Sequence, residues 1–202
     1  MSKYRLPAPD EQILLDGLQV RLVETEELPR LQSLLRRFHY LGSLKPVGER
    51  LYYVVIDGRG EWVGVLVFNS ASKHLKLREK WIGWSQAQAR RRLSLVVNNS
   101  RFVLLPHKSV PNLGSKALRM VLDRLSDDWQ ARYGHRVLVV ETFVDPERYR
   151  GTCYQAANWV GLGETTGRGR MDRHKRYGST PKIIYVYPLR ADFRSVLQRR
   201  CQ

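Results

Sequence analysis

The sequence has little cysteine, with only Cys153 and Cys201 in 202 residues. Two such thiols cannot form the disulfide framework of a small secreted protein. No CxxC or Cys/His spacing is present, and four of the five histidines show no ligand spacing among themselves, so we predict no metal site. No apolar run approaches the roughly 18 residues of a membrane-spanning helix, and the N-terminus has no apolar signal-peptide core. We therefore expect a cytoplasmic protein without a membrane partner.

Acidic residues are also scarce. The chain has 19 Asp and Glu against 35 Lys and Arg, which gives a formal charge of +16 and a pI near 10.3. Such an excess creates a long-range positive field, whose usual partners are nucleic acids or anionic surfaces. The length suits one well-buried core. We predict a polar N-terminal arm at 1–12 and a single domain at 13–202, with a basic strip at 168–177.

Hydrophobic patterning predicts alternating strands and helices. Strand patterns occur at Gln19–Val23, Leu51–Ile56, Trp62–Phe68, Phe102–Leu105, Val137–Val140 and Lys182–Tyr187. Helical patterns begin at Thr25, at Ser85, after the 111–116 segment and near Gln155, and residues 69–83 look like a connecting loop. The Asp57-Gly58 pair predicts a hairpin turn. The order predicts an α/β fold with a single mixed sheet flanked by helices.

Two carboxylates follow the predicted strand at 137–140. Glu141 and Asp145 are placed at a strand end, where open α/β sheets bind ligands. Either could act as a general base in transfer to an amine, and Tyr154 could protonate a leaving thiolate. The alternative is that both carboxylates pair with Arg148 and Arg150 and brace the loop.

Two further side chains are candidates for catalysis. Cys153 could accept a group covalently, or it could be a small core residue. His39 follows the first long helix and titrates near neutrality, so it could act as a base. A histidine at this place can instead stabilise a helix C-terminus.

The segment Asn112-Leu113-Gly114-Ser115-Lys116 precedes the longest helical pattern. A helix N-terminus presents free N–H groups and a partial positive charge, which favour phosphate, and Lys116 would add a point charge. The ligand would be a cofactor pyrophosphate or a nucleic-acid phosphate. The alternative is an ordinary strand-to-helix turn in which Gly114 relieves a tight backbone.

Two basic segments are candidate nucleic-acid contacts. The strip at 168–177 contains Arg168, Arg170, Arg173, Lys175, Arg176 and Tyr177. Arginines bind phosphate bidentately, and an aromatic ring can stack on an exposed base. A second patch contains Arg90, Arg91 and Arg92, just after Trp81 and Trp84. The alternative is that both segments are solvated basic surface.

The element order resembles the fold of GCN5-related N-acetyltransferases. In that resemblance the 112–116 loop takes the place of the pyrophosphate loop, and Tyr154 that of the tyrosine on the family's late helix. The resemblance implies an acetyl-CoA-type donor. This loop has one glycine, Gly114, where the family usually has two spaced glycines and an Arg or Gln.

A second resemblance covers nearly the whole chain. It rests on FHYLG (38–42), WIGWS (81–85), NNSRF (98–102), ETFVD (141–145), GTCY (151–154), AANW (156–159) and GRGR (167–170). These motifs, in this order, resemble the DruA family, named for a component of the Druantia anti-phage systems and also found with transposase-type genes. A weaker similarity, through the fold and the HYLG motif, is to phage Mom proteins, which modify adenine in DNA.

These resemblances imply a nucleic-acid-binding protein, with DNA favoured over RNA, in phage defence or a mobile element. One hypothesis is an enzyme that transfers a small group to a nucleobase or an associated amine. The other is a non-catalytic DNA-binding module that assists a partner enzyme or transposase. Strand cleavage is less favoured, because it needs more metal-binding carboxylates than Glu141, Asp145 and Glu147 provide. Protein partners from a defence or transposition system are expected in either case.

Overall fold

The computed structural model describes residues 5–43, 48–108, 110–167 and 180–199. These residues form one seven-stranded sheet in the order β1-β2-β3-β4-β5-β7-β6. The strands are β1 (Gln19–Leu22), β2 (Arg50–Ile56), β3 (Trp62–Ser70), β4 (Val96–Leu104), β5 (Val139–Val144), β6 (Val160–Glu164) and β7 (Ile183–Pro188). All neighbouring strands are antiparallel except β4 and β5, which are parallel. The predicted single mixed sheet is confirmed.

Seven helices cover the two faces of the sheet within the described ranges. They are α1 (Pro9–Asp16), α2 (Leu28–Phe38), α3 (Lys76–Ile82), α4 (Gln86–Arg92), α5 (Leu113–Tyr133), α6 (Thr152–Ala156) and α7 (Phe193–Leu197). Buried residues of α5 pack with those of α6 in one core cluster, on one face. Buried residues of α2, and separately those of α3 and α7, form clusters on the other face.

Local sequence explains the hairpin and the long helix. The Asp57 carboxylate accepts hydrogen bonds from the backbone N–H groups of Arg59 and Glu61, both at 3.0 Å, and closes the β2–β3 turn as predicted. The apolar stripe of α5 is buried from Leu118 to Trp129. Gly134 ends this helix with a φ of 77°, a left-handed conformation that glycine adopts without strain.

Strands β4 and β5 form a fork. They are paired at only three positions, of which the last joins Asn98 to Glu141. Beyond this pair, β4 continues to Leu104 along β3, and β5 continues to Val144 along β7. We call this opening the strand fork. Because α5 follows β4 after a short loop, its N-terminus lies near the open end.

Side chains alternate between the faces of the two strands at the fork. Val96 and Val139 pack with α7, whereas Val97 and Val140 pack with α5. Since successive strand residues point to opposite faces, Asn98 and Glu141 lie on the α7 face and the next residue of each strand on the α5 face. One face of the fork therefore carries Asn98 and the carboxylate Glu141, and the other carries the uncharged Asn99 and Thr142.

Several elements differ from the sequence predictions. Helix α1 begins at Pro9, so the predicted arm at 1–12 overlaps a helix whose Leu15 is buried. The segment 69–83, predicted as a loop, contains α3. Two residues of its charge-rich sequence KLREKWI, Arg78 and Ile82, are fully buried. Strand β6 and helix α7 were not predicted. Strand β5 runs to Val144, so Glu141 lies within it rather than after it.

In the part of the chain that the structure describes, no helix is both long enough and apolar enough to cross a membrane.

Candidate active site at the strand fork

Three polar side chains meet on the α5 face, directly beyond the last β4–β5 pair. The Thr142 hydroxyl donates to the Asn99 carbonyl across the fork at 2.9 Å. The Tyr154 phenol donates to the Asn99 side-chain oxygen at 2.8 Å. The Asn99 amide in turn donates to the carbonyls of Val67 and Arg101. This network fixes Tyr154 of α6 at the point where the fork opens.

Tyr154 lies in an aromatic environment. Its ring stacks on Tyr185 at 5.9 Å and meets the edge of Trp159 at 5.0 Å. Burial raises the pKa of the Tyr154 phenol well above its usual value, so the group keeps its proton at neutral pH. Among the described residues, the buried indole N–H of Trp159 has no hydrogen-bond partner. The site therefore offers a neutral phenol beside an unsatisfied donor.

Glu141 differs from the predicted free base. It is fully buried, and its carboxylate accepts hydrogen bonds from the Arg78 guanidinium and from the Ser72 backbone N–H, both at 2.7 Å. Arg78 is also fully buried. For Glu141, the structure does not show bracing by Arg148 or Arg150, because the cation that faces this carboxylate is Arg78 of α3. A carboxylate bound in this way is poorly placed to take a proton from a substrate.

The Arg78–Glu141 pair belongs to a buried polar row on the α7 face. Asn69 lies opposite Asn98, and Asn98 lies opposite Glu141, in successive strands. Within the described chain, the side-chain oxygens of both asparagines and two nitrogens of Arg78 have no hydrogen-bond partner. Asn98 and Asn99 could have been suspected from the sequence, because two amides directly follow the apolar residues Val96 and Val97 in the strand. Nothing in the sequence around Arg78 indicated that it is buried.

Asp145 follows β5 and organises the next turn. One of its carboxylate oxygens accepts a hydrogen bond from the Glu147 backbone N–H at 3.1 Å, and the other lies 3.6 Å from the Arg148 guanidinium. This is the turn-bracing alternative, with Arg148 as the partner. Asp145 is largely buried and its general-base role remains a prediction.

Cys153 lies where α6 packs against the start of α5. A Cβ atom added to Gly114 would lie 3.0 Å from the Cys153 Cβ, so glycine allows the two helices to approach. Burial raises the pKa of the Cys153 thiol to about 11, which keeps it protonated at neutral pH. Since the thiolate is the nucleophile, this state favours the packing role over the nucleophilic one.

His39 follows α2 and is partly buried. Its Nδ1 accepts a hydrogen bond from the Leu41 backbone N–H at 3.2 Å. Burial, followed by the nearby cations Arg101 and Lys182, lowers the pKa of His39 to about 4. The ring is therefore neutral at pH 7, and it is a weaker base than an ordinary histidine.

The predicted cofactor loop leads into the N-terminus of α5. Asn112 has a φ of 65°, the left-handed conformation that a glycine favours, directly before α5. The N–H groups of Gly114 and Ser115 are in the first helical turn, where helix geometry supplies no acceptor. Leu113 is buried and anchors the turn. Lys116 contacts Asp16 of α1 at 3.2 Å, an exposed pair that is weak enough to exchange for a phosphate.

The backbone at the fork is therefore compatible with a bound CoA-type donor. The strands separate, the α5 N-terminus lies near their open end, and an unsatisfied Trp159 N–H lies beside Tyr154.

The two predicted basic segments have different outcomes. Arg168, Arg170, Arg173, Lys175, Arg176 and Tyr177 lie outside the described residues. In the second patch, Arg90 and Arg91 are exposed, but Arg92 donates to the carbonyls of Leu197 and Arg199 and holds the C-terminal segment. The tryptophans upstream are structural, since Trp84 is buried and Trp81 stacks on Phe193 at 4.8 Å.

The sequence profile of the family described as Druantia protein DruA matches residues 10–183. The chain belongs to the DruA family. The match spans α1 to the start of β7 and so includes the whole strand fork. No curated protein sequence matches the chain.

Solved structures with a similar fold are GCN5-related N-acetyltransferases. A dodecameric spermidine N-acetyltransferase from Vibrio cholerae aligns with a TM-score of 0.55 at 10% identity, over 86% of this chain and 95% of that one. The spermidine N-acetyltransferase of Vibrio cholerae in complex with CoA and spermine gives 0.54 at 10% identity, over 86% and 96%. At this identity the likeness establishes the fold alone. This DruA-family chain therefore has an acetyltransferase-like fold, as predicted.

Proposed function

We propose that this DruA-family protein transfers a small acyl-type group to an amine of a nucleobase, or to an amine associated with nucleic acid, in phage defence or a mobile element. The observation that carries the proposal is the buried, neutral Tyr154 phenol held by Asn99 at the opening of the fork. A neutral phenol that is held in a fixed position can act as a general acid and protonate a leaving group. The proposed place of action is the cytoplasm, with DNA as the acceptor and other proteins of the defence or transposition system as partners.

An acyl-CoA-type donor, when bound, would supply the group to be transferred. The Gly114 and Ser115 N–H groups and Lys116 would hold its phosphates, and the Trp159 N–H would offer a further donor near Tyr154. The Vibrio cholerae acetyltransferase of the same fold has been solved in complex with CoA and spermine, and by analogy we propose CoA as the carrier.

The acceptor amine must lose a proton during such a transfer. Glu141 is committed to Arg78, so within the described fork the candidates are Asp145 and the neutral His39, whose Nδ1 would first have to release the Leu41 N–H. The target base would be single-stranded or flipped out, because its amine cannot be reached within a stacked duplex.

The test is a transfer assay with acetyl-CoA and a single-stranded oligonucleotide, read by intact mass of the oligonucleotide. Tyr154→Phe is the matched variant, because it keeps the ring that stacks on Tyr185 and removes only the hydroxyl. We expect the wild type to add one acetyl mass and Tyr154→Phe to be about a hundredfold slower. Equal rates in the two proteins would exclude Tyr154 as the acid.

A non-catalytic DNA-binding module is the second candidate. It is favoured by the burial of Glu141 against Arg78, which removes one of the two carboxylates predicted as the base. This candidate predicts oligonucleotide binding without any mass increment and without a thermal shift on addition of CoA. A mass increment that depends on Tyr154 would exclude it.

A further inference from the structure

Cations and aromatic rings gather beside the fork, around Tyr40. The Lys182 ammonium donates to the Tyr40 hydroxyl at 3.2 Å and lies 5.4 Å from its ring centroid. The Arg148 guanidinium lies 5.1 Å from the same centroid, and the Tyr149 ring is 6.0 Å away. Arg101 of β4 donates to the Gly42 carbonyl at 3.0 Å and so holds the loop that carries Tyr40. We call these five residues the cation–aromatic cluster.

The cluster has little compensating negative charge. In the described chain, neither Arg101 nor Lys182 lies within 4 Å of a carboxylate, and Arg148 has only Asp145, at 3.6 Å. Some other described cations are paired with a carboxylate at shorter distances. Examples are Arg21 with Glu27 at 2.6 Å, Arg124 with Asp128 at 2.6 Å and Arg136 with Asp127 at 2.6 Å. Three cations with one nearby carboxylate among them repel one another, and an anionic ligand relieves that repulsion.

The cluster borders the candidate active site. Arg101 belongs to β4 within the fork, and Arg148 and Tyr149 follow β5 on the loop that leads to α6. Tyr40 is close enough to Tyr154 that its phenol contributes to the raised pKa of Tyr154. A ligand on the cluster would therefore lie beside the open end of the strand fork.

Tyr149 supplies an accessible ring, since 51% of its surface is exposed. A large exposed aromatic beside cations offers a stacking surface for a base, while the cations contact the phosphate that precedes or follows it. A base in an intact duplex has no free face to stack in this way. The pattern therefore favours single-stranded over double-stranded nucleic acid.

We propose that the cation–aromatic cluster binds a segment of single-stranded nucleic acid, with Arg148 and Lys182 on the phosphates and Tyr149 stacked on a base. The proposal rests on the proposed function, because it names the acceptor-binding side of the same site. It differs from the earlier predictions in that its residues lie outside both basic segments identified in the sequence.

The test is binding of a labelled single-stranded oligonucleotide by fluorescence anisotropy across a salt series. The variant Arg148→Ala/Lys182→Ala is compared with Arg119→Ala/Arg136→Ala. The control lowers the net charge equally but removes two cations that are paired with Asp123 and Asp127. We expect the cluster variant to bind at least about tenfold more weakly and to lose about 1.4 from the salt slope, two contacts at ~0.7 each. The control should stay within about twofold.

Variants of Tyr149 test the contribution of base stacking to binding without changing the charge of the cluster. Tyr149→Leu should weaken single-strand binding about tenfold, whereas Tyr149→Phe should bind like the wild type. Equal weakening by the cluster and control double variants would overturn the proposal, since total charge alone would then explain binding. Tighter binding of a duplex than of the single strand, with no effect of Tyr149→Leu, would also overturn it. Binding that follows the cluster while acetyl transfer is absent would refute the proposed transfer and leave this inference standing.

Discussion

Two groups of charged side chains lie at the strand fork, and they differ in burial and in ion pairing. Arg78 and Glu141 are fully buried and face each other at 2.7 Å. The cation–aromatic cluster is partly exposed, and among the described residues the only carboxylate within 4 Å of its cations is Asp145, beside Arg148. Removing one partner of a buried ion pair strongly destabilises a fold, whereas surface cations with few matching acids attract anions. The acids and bases are equally visible in the sequence, and burial and pairing decide which of them are available to a ligand.

The largest effect is expected from breaking the buried pair. Arg78→Met removes the guanidinium that faces Glu141 and leaves a carboxylate in the core, which typically costs about 3–5 kcal/mol. Urea unfolding measures the loss in free energy of unfolding. The double variant Arg78→Met/Glu141→Leu should recover most of the loss, because replacing both partners with apolar side chains is often close to neutral. A single variant as stable as the wild type would contradict the structural role.

A smaller loss is expected at the contact between α5 and α6. Gly114→Ala places a methyl group 3.0 Å from the Cys153 Cβ, and overpacking of this kind costs about 1–3 kcal/mol. Ser115→Ala, one residue further on the same turn, should change the free energy of unfolding by no more than about 1 kcal/mol. If the two variants unfold at the same urea concentration, the helices do not pack as closely as described.

His39 is partly buried, and its lowered pKa predicts that the free energy of unfolding depends on pH. Its pKa is about 4 in the folded protein, against an ordinary value near 6.5, so the unfolded chain binds the proton first as the pH falls. The stabilising contribution is complete above about pH 6.5 and is lost progressively toward pH 4. His39→Asn keeps an acceptor for the Leu41 N–H and removes the titration. Between pH 7.5 and pH 5, the free energy of unfolding measured in urea should therefore fall less for His39→Asn than for the wild type. Equal falls in the two proteins would contradict a lowered pKa at His39.

The smallest change in stability is expected in the cluster itself. Arg148→Ala and Lys182→Ala should each alter the free energy of unfolding by less than about 1 kcal/mol, because exposed charge contacts contribute little. Thermal or urea unfolding of both variants beside Arg78→Met makes the comparison direct. A loss of several kcal/mol from either variant would mean that the cluster supports the fold, like the buried pair.

The fold was predictable because its signals are local. The buried stripe of α5 and the Asp57-Gly58 turn can each be recognised from neighbouring residues alone. The buried pair was not predictable, because Arg78 lies in a charge-rich segment that looks like a loop and meets Glu141 only through the tertiary fold.

The cluster was missed for a similar reason. Tyr40, Arg101, Arg148 and Lys182 come from four separate segments, and only the sheet order brings them together. Tyr154 could be chosen in advance because the family resemblance marks its position, but its bond to Asn99 could not.

The most direct test is to map where a single-stranded oligonucleotide touches the protein, by photo-crosslinking the wild type and identifying the modified peptides by mass spectrometry. We predict crosslinks at Tyr40 and Tyr149, whose rings are 6.0 Å apart in the cluster, and their loss in Arg148→Ala/Lys182→Ala. Crosslinks confined to α4, with none at either tyrosine, would contradict the view that the unmatched cations beside Tyr154 receive the nucleic acid.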